Sequence, residues 1–154
     1  MRAVPLPGLQ LQREQDSMLV SRRVGDCVAL VHARGVPDDE AFGRALDELG
    51  RGAAVFLPFT YADATLRPQQ RRELASTLAR HRVRVAAIVE SDLQRRMAVA
   101  VGWFVPGLRV FSTAAEELEE AYAFAIPGGG GPLREAILDL HRVADVRAPL
   151  RLPV

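Results

Sequence analysis

The chain has 154 residues, of which 49% are hydrophobic and 25% charged, and its formal net charge is +1. This length and balance predict one globular domain with its own core, and they exclude an intrinsically disordered chain. The arginines that carry the positive charge are dispersed along the chain, so the composition gives no sign of a nucleic-acid partner.

The sequence favours a cytoplasmic protein without a membrane partner. No apolar stretch approaches the ~20 residues that a membrane-spanning helix needs, and the first residues lack the apolar segment of a secretory signal. Cys27 is the only cysteine, so an intrachain disulfide is impossible, as expected in a reducing compartment. The apolar neighbours of Cys27 predict a buried thiol without catalytic reactivity.

Hydrophobic periodicity, capping residues and turn residues predict the elements in chain order. They are a lead-in (1–8), a strand (9–15), two strands of a hairpin (18–24 and 27–33), a helix (38–50), a strand (53–59), a helix (66–82), a strand (83–89), a helix (91–104), a strand (108–111), a helix from residue 113 and a last helix around residues 133–140. The predicted N-caps are Asp38, Thr65, Ser91 with Gln94, and Thr113 with Glu116.

From Cys27 onward strands and helices alternate, which is typical of parallel strands joined by helical crossovers. We therefore predict an α/β fold with a mixed, largely parallel sheet, an N-terminal β-hairpin and four or five helices. Pro127 and the glycines that follow it interrupt the chain. This divides the chain into a lead-in (1–8), a domain (9–126), a Gly-rich hinge (127–132) and a C-terminal helix and tail (133–154).

Three stretches of the chain carry a family likeness. They are ALVHARG running into PDDEAF (29–42), VAAIVES with the helix that follows it (85–91), and RVFST before a helix that begins with two glutamates (109–117). Together with the element order, they resemble the STAS domain (sulfate transporter and anti-sigma-factor antagonist) over about residues 9–125. The likeness is to the bacterial proteins that consist of this single domain.

The resemblance implies a non-catalytic domain that binds a partner protein in signalling. It also implies a regulatory phosphorylation after the central strand, at the start of the next helix. Thr65 is the hydroxyl residue at that place in this chain. Leu66 follows it, where the family commonly has a small residue or glycine.

The residues themselves indicate little catalytic chemistry. His32, His81 and His141 are far apart and lack the spacing of metal ligands, and no Gly-x-Ser-x-Gly elbow is present. The glycine run is not followed by the Lys-Ser/Thr pair of a phosphate loop, which favours a linker. We therefore expect no enzyme activity, no metal and no cofactor.

Polar residues do follow two neighbouring buried strands, at the carboxyl edge where open α/β sheets bind ligands. They are Asp63, Thr65, Glu90 and Ser91. One interpretation is an anion or ligand edge, and an enzyme site built from Asp63, Thr65 and Glu90 is the least favoured hypothesis. The simpler interpretation is a pair of N-caps, Thr65 and Ser91, beside solvated acids.

The helix predicted over residues 91–104 is apolar nearly all round. Its inward stripe is predicted to be Leu93, Met97, Val101 and Phe104. Val99 and Trp103 lie on another face and need a second cover. Either the last helix folds back onto them through Leu133, Ile137 and Leu140, or a second protein chain covers them, as a homodimer or as a foreign partner.

Our leading prediction is a regulatory or scaffold module that works through protein–protein interaction. Its partner is a signalling or scaffold protein or a second copy of the chain, which contacts Val99, Trp103, Met97 and Leu66, with Thr65 as the phosphosite. The alternative is a domain that binds a small ligand or lipid in an apolar pocket between helices and sheet. The aromatic residues expected to line that pocket are Phe56, Phe59, Tyr61 and Phe104.

Overall fold

A five-stranded sheet whose strand order follows the chain order forms the centre of the fold. The computed structural model describes residues 17–102, 105–127 and 131–146. The strands are β1 (Met18–Val24), β2 (Cys27–Arg34), β3 (Val55–Thr60), β4 (Arg84–Val89) and β5 (Leu108–Phe111). The helices are α1 (Asp39–Leu49), α2 (Pro68–Arg80), α3 (Asp92–Gly102), α4 (Ala115–Ala125) and α5 (Gly131–Val143).

Strand β1 pairs with β2 in an antiparallel hairpin, and β2 to β5 pair in parallel. Gly25 at the turn has φ +57°, a conformation that glycine adopts without steric cost. The predicted α/β fold, with its mixed sheet and N-terminal hairpin, is confirmed. The described residues form five helices, the larger of the two numbers predicted.

The two faces of the sheet bury two separate apolar clusters. Because side chains alternate along a strand, Val28 and Leu30 point to one face and Ala29 and Val31 to the other. Helices α1, α2 and α3 cover the first face, as right-handed crossovers between successive parallel strands require. Helix α4 covers β3 to β5 on the second face, and α5 covers β1 and β2 there.

The last helix belongs to the main core. Leu133, Ile137 and Leu140 are buried in the same cluster as Leu118 of α4. The alternative in which they pack on Val99 is therefore wrong, because they lie against β1 and β2 on the opposite face of the sheet from α3. Gly131 and Pro132, predicted as hinge, form the first turn of α5.

Two of the predicted N-caps are present and two are not. The Asp38 carboxylate accepts from the Ala41 N–H at 2.7 Å, and the Ser91 hydroxyl accepts from the Gln94 N–H at 3.2 Å. Thr65 does not cap α2, because the chain stays extended to Arg67, with Pro68 as the first helical residue.

Helix α4 also begins later than predicted. Helix α4 begins at Ala115 and not after Thr113. The Ser112 hydroxyl accepts from the Ala114 N–H at 3.2 Å, and the Glu117 carboxylate accepts from the Ser112 N–H at 3.2 Å. The lead-in, the strand predicted over 9–15, Trp103, Phe104 and the tail from residue 147 lie outside the described residues.

Candidate functional site

An apolar pocket of about 160 Å³ lies between the sheet and helices α1, α2 and α3. Its walls are mostly aliphatic and aromatic side chains from these helices and from β2, β3 and β4. Those that are most enclosed are Leu30, Phe42, Ala45, Leu49, Phe56, Leu78, Val85, Ala87 and Val89. Its mouth is marked by the more exposed residues Thr65, Leu66, Arg71 and Met97.

The pocket exists because α3 turns small side chains toward the sheet. Ala98 lines the pocket from the helix, and Ala87 lines it from β4. The Gly102 Cα lies so close to β5 that an added Cβ would come within 3.3 Å of the Leu108 side chain. Leu93 and Val99 of the same helix are exposed, so these two side chains do not fill the space beneath it.

The outward direction of those side chains corrects the stripe predicted for this helix. Leu93 is 65% exposed and Met97 36% exposed, although both were expected to face the core. Gln94 occupies the inward position instead and is only 8% exposed. The physical reason is that the Gln94 side chain can donate to the backbone carbonyl groups of Tyr61 and Ala64 in the loop after β3, which leucine cannot do.

Gln94 binds both of those carbonyl groups through one nitrogen. Its Nε2 donates to the carbonyl oxygen of Tyr61 and, at 3.4 Å, to that of Ala64. Because a carbonyl oxygen only accepts, the amide is oriented with Nε2 toward the loop. Its Oε1 is buried and has no hydrogen-bond partner among the described residues.

His32 is the second polar group of the pocket. It lies at the end of β2, is 3% exposed and pairs in the sheet with Thr60, which pairs in turn with Val89. The His32 Nε2 lies 2.8 Å from the Gly35 carbonyl oxygen, so this nitrogen carries the proton. Burial lowers the pKa of His32, which keeps the ring neutral and leaves Nδ1 as an acceptor.

The polar groups gather at the carboxyl edge of the sheet, while the apolar walls continue along the strands. Phe56 lies four residues before Thr60 on β3, a distance of about 13 Å at ~3.3 Å per residue. A ligand aligned with the strands would therefore have its polar end near Gln94 and its apolar end directed toward Phe56. Open α/β sheets bind ligands at this edge.

The loop after β3 holds the predicted phosphosite. Gly35 and Ala64 form a parallel bridge, in which the Gly35 N–H donates to the Asp63 carbonyl at 2.9 Å and the Thr65 N–H donates to the Gly35 carbonyl at 3.1 Å. Thr65 is exposed at the mouth of the pocket. Its phosphorylation stays a prediction.

The other residues of the predicted ligand edge lie outside the pocket. Asp63 and Glu90 are exposed, and the Glu90 carboxylate accepts from the Ala62 N–H at 3.1 Å. The Ser91 hydroxyl is occupied by the Gln94 N–H as a helix cap. Of the four predicted edge residues, the structure brings only Thr65 to the pocket.

The aromatic lining was predicted correctly at one position. Phe56 lines the pocket, whereas Phe59 and Tyr61 belong to the core on the opposite face. There the Tyr61 hydroxyl donates to the His141 Nε2 at 2.5 Å, and the His141 Nδ1 donates to the Ile137 carbonyl at 2.7 Å. Burial lowers the pKa of His141, while burial and the nearby Glu90 carboxylate raise that of Tyr61.

The residues predicted to contact a partner lie on or near α3. Val99 is 47% exposed, and Met97 and the half-buried Leu66 border the mouth of the pocket. Trp103 lies outside the described residues. Cys27 is buried as predicted, and burial raises the pKa of its thiol to about 11.

The described part of the chain contains no group of three or more His, Cys, Asp or Glu side chains placed to hold a metal ion. It also contains no helix long and apolar enough to cross a membrane. The chain matches no protein-family model, no curated protein and no solved structure. The resemblance to the STAS domain therefore stays a prediction.

Proposed function

We propose that this protein binds a small, largely apolar ligand in the pocket between the sheet and helices α1 to α3. The observation that carries the proposal is an open apolar space of about 160 Å³ between the sheet and these helices. A dry cavity of about 150 Å³ holds a benzene-sized molecule. The ligand therefore has about six to nine non-hydrogen atoms inside the protein.

The size of the space argues for an occupant. At about 24 cal/mol per Å³, an enclosed and unfilled apolar cavity of 160 Å³ would cost about 4 kcal/mol of stability, and this is an upper limit for the pocket because its mouth opens to solvent. Larger side chains at Ala87 or Ala98 would fill the space, so a packing role alone gives no reason for leaving it open.

The pocket supports binding and not catalysis. The Nε2 atoms of Gln94 and His32 are already engaged by backbone carbonyl groups. Asp63 and Glu90, the carboxylates of the least favoured enzyme hypothesis, do not line the pocket. Thr60 and His32 are neighbours in the lining, but no hydrogen bond between the Thr60 hydroxyl and the His32 ring is found among the described residues, so an activated nucleophile is not indicated.

Filling the pocket from α3 is expected to abolish binding. Ala98→Phe places a ring in the space, whereas Ala100→Phe on the exposed side of the same helix leaves it open. The probes are p-xylene, p-cresol and p-toluate, which share one ring and differ at one group, measured by NMR titration. Dissociation constants of about 0.1–1 mM are expected for ligands of this size.

At least one probe should bind the wild type and Ala100→Phe, and none should bind Ala98→Phe. A wild type that binds none of the three would contradict the proposed function. Equal binding to both variants would place the ligand elsewhere on the protein.

A second candidate function is the predicted binding of another protein chain through α3. The observation that favours it is the exposure of Leu93 (65%), Val99 (47%) and Met97 (36%) along one helix. Leu93 and Met97 share one face of the helix and Val99 lies on another, and exposed apolar surface can mark interaction sites. Phosphorylation of Thr65 would add nearly two negative charges at the neighbouring pocket mouth and would link both functions.

Introducing a charge on this helix is expected to weaken such an association. Val99→Asp should weaken self-association at least about tenfold, since a buried unpaired carboxylate is strongly unfavourable. Ala123→Asp on the exposed side of α4 is the matched control. Light scattering behind size exclusion gives the mass of each variant. If the wild type is a monomer at high concentration, a second copy of the chain is not the partner.

A further inference from the structure

Resting on the proposed function, we infer that the ligand is neutral and carries a hydrogen-bond donor, an O–H or N–H group. The ligand presents this donor to the side-chain oxygen of Gln94 at the polar end of the pocket. Its chemical class is that of a phenol, an indole or a short-chain alcohol.

The first argument is the unpartnered oxygen of Gln94. The side chain is 8% exposed and lines the pocket, and its Nε2 is fixed by the carbonyl oxygens of Tyr61 and Ala64. Rotating the amide by half a turn would place its oxygen against those two oxygens, so the orientation is determined. The buried Oε1 has no partner among the described residues and requires a donor.

The second argument is the acceptor on His32. Its Nε2 donates to the Gly35 carbonyl oxygen at 2.8 Å, and the neutral ring then offers Nδ1 as a lone-pair acceptor. No hydrogen-bond partner for Nδ1 is found in the described part of the chain, and His32 lines the same pocket. Two acceptors without a matching donor select a ligand that donates.

The acceptors at the polar end of the pocket argue against an anionic ligand. Among the described lining residues Arg71 is the only arginine; it lies at the mouth of the pocket, where its Nη1 donates to the Leu66 carbonyl oxygen at 2.7 Å. A carboxylate placed at Gln94 and His32 would face two acceptors, so fatty acids and other acids are disfavoured at that end.

The experiment compares p-cresol, p-xylene and p-toluate on the full wild-type chain by ¹H–¹⁵N NMR titration. The first two differ only by a hydroxyl in place of a methyl group. In a purely apolar pocket p-xylene binds more tightly, because it loses no hydroxyl hydration. We expect p-cresol to bind at least about tenfold more tightly than p-xylene, and the Gln94 side-chain amide resonances to shift on its addition.

Each result is decisive. If p-xylene binds as tightly as p-cresol or more so, the inference is overturned and the proposed function stands. Tightest binding by p-toluate overturns the neutral character of the ligand. Binding of none of the three overturns the inference and the proposed function together.

A substitution at Gln94 then tests whether Oε1 is the acceptor of the ligand's hydrogen bond. Gln94→Met keeps a similar volume and removes Oε1, so the preference for p-cresol should fall at least about tenfold. The same substitution removes the donor to the Tyr61 and Ala64 carbonyl groups and can impair folding. The wild-type comparison tests the inference whether or not this variant folds.

Discussion

Gly35→Ala is expected to lower the free energy of unfolding by about 3 kcal/mol. Gly35 has φ +72°, where an alanine costs about 1–2 kcal/mol. A Cβ at this position would also lie 2.8 Å from the Cα of Ser17, and backbone there must move to relieve the clash. The Gly35 carbonyl accepts from both His32 and Thr65, so that movement also disturbs the pocket.

Gly25→Ala is the matched control for this substitution. Gly25 has φ +57°, and a Cβ there would meet no atom within 4 Å. The free energy of unfolding of Gly25→Ala should therefore fall only by the cost of the positive φ, about 1–2 kcal/mol. Urea denaturation followed by circular dichroism measures both variants, and equal losses would show that the contact between Gly35 and Ser17 is not restrictive.

Mild acid is expected to destabilise the protein steeply. Burial lowers the pKa of both His32 and His141 in the folded state, so the unfolded chain binds protons that the folded chain does not. The contribution is fully present above the unfolded pKa of about 6.5 and is lost as the pH falls below it. In that range each histidine lowers the free energy of unfolding by up to about 1.4 kcal/mol per pH unit.

His141→Gln separates the two contributions to this slope. The groups that face His141 are the Tyr61 hydroxyl, the Ile137 carbonyl and the Phe59 ring, none of which titrates between pH 5 and 7. The variant should be less stable at pH 7.5 and lose less stability between pH 7 and pH 5 than the wild type. An unchanged slope in denaturant titrations at each pH would show that His141 does not contribute.

Much of the fold follows from local sequence signals. The glycine at residue 25 and the alternating residues around it specify the hairpin, and Asp38 specifies the start of α1. The short strand at residues 108–111 lies where it was predicted. These features depend on neighbours within a few residues, so one sequence is enough to read them.

The pocket depends on contacts that no local pattern contains. Helical periodicity placed Leu93 and Met97 inside, because it counts apolar residues and ignores carbonyl groups that need donors. Gln94 faces inward to reach Tyr61 and Ala64, which lie about 30 positions earlier in the chain. Tyr61 and His141 are 80 positions apart, and neither residue signals the other in the sequence.

The strand order affects how the chain folds during synthesis. Because β2 to β5 are neighbours in both sequence and space, each new strand can add to a sheet that has already left the ribosome. Helix α5 is different, since its Asp139 meets Arg22 of β1 across 117 positions. Until α5 is made, the face of the hairpin that carries Val20 and Val31 has no cover from that helix. The apolar hairpin is thus the surface that a nascent or truncated chain exposes to aggregation.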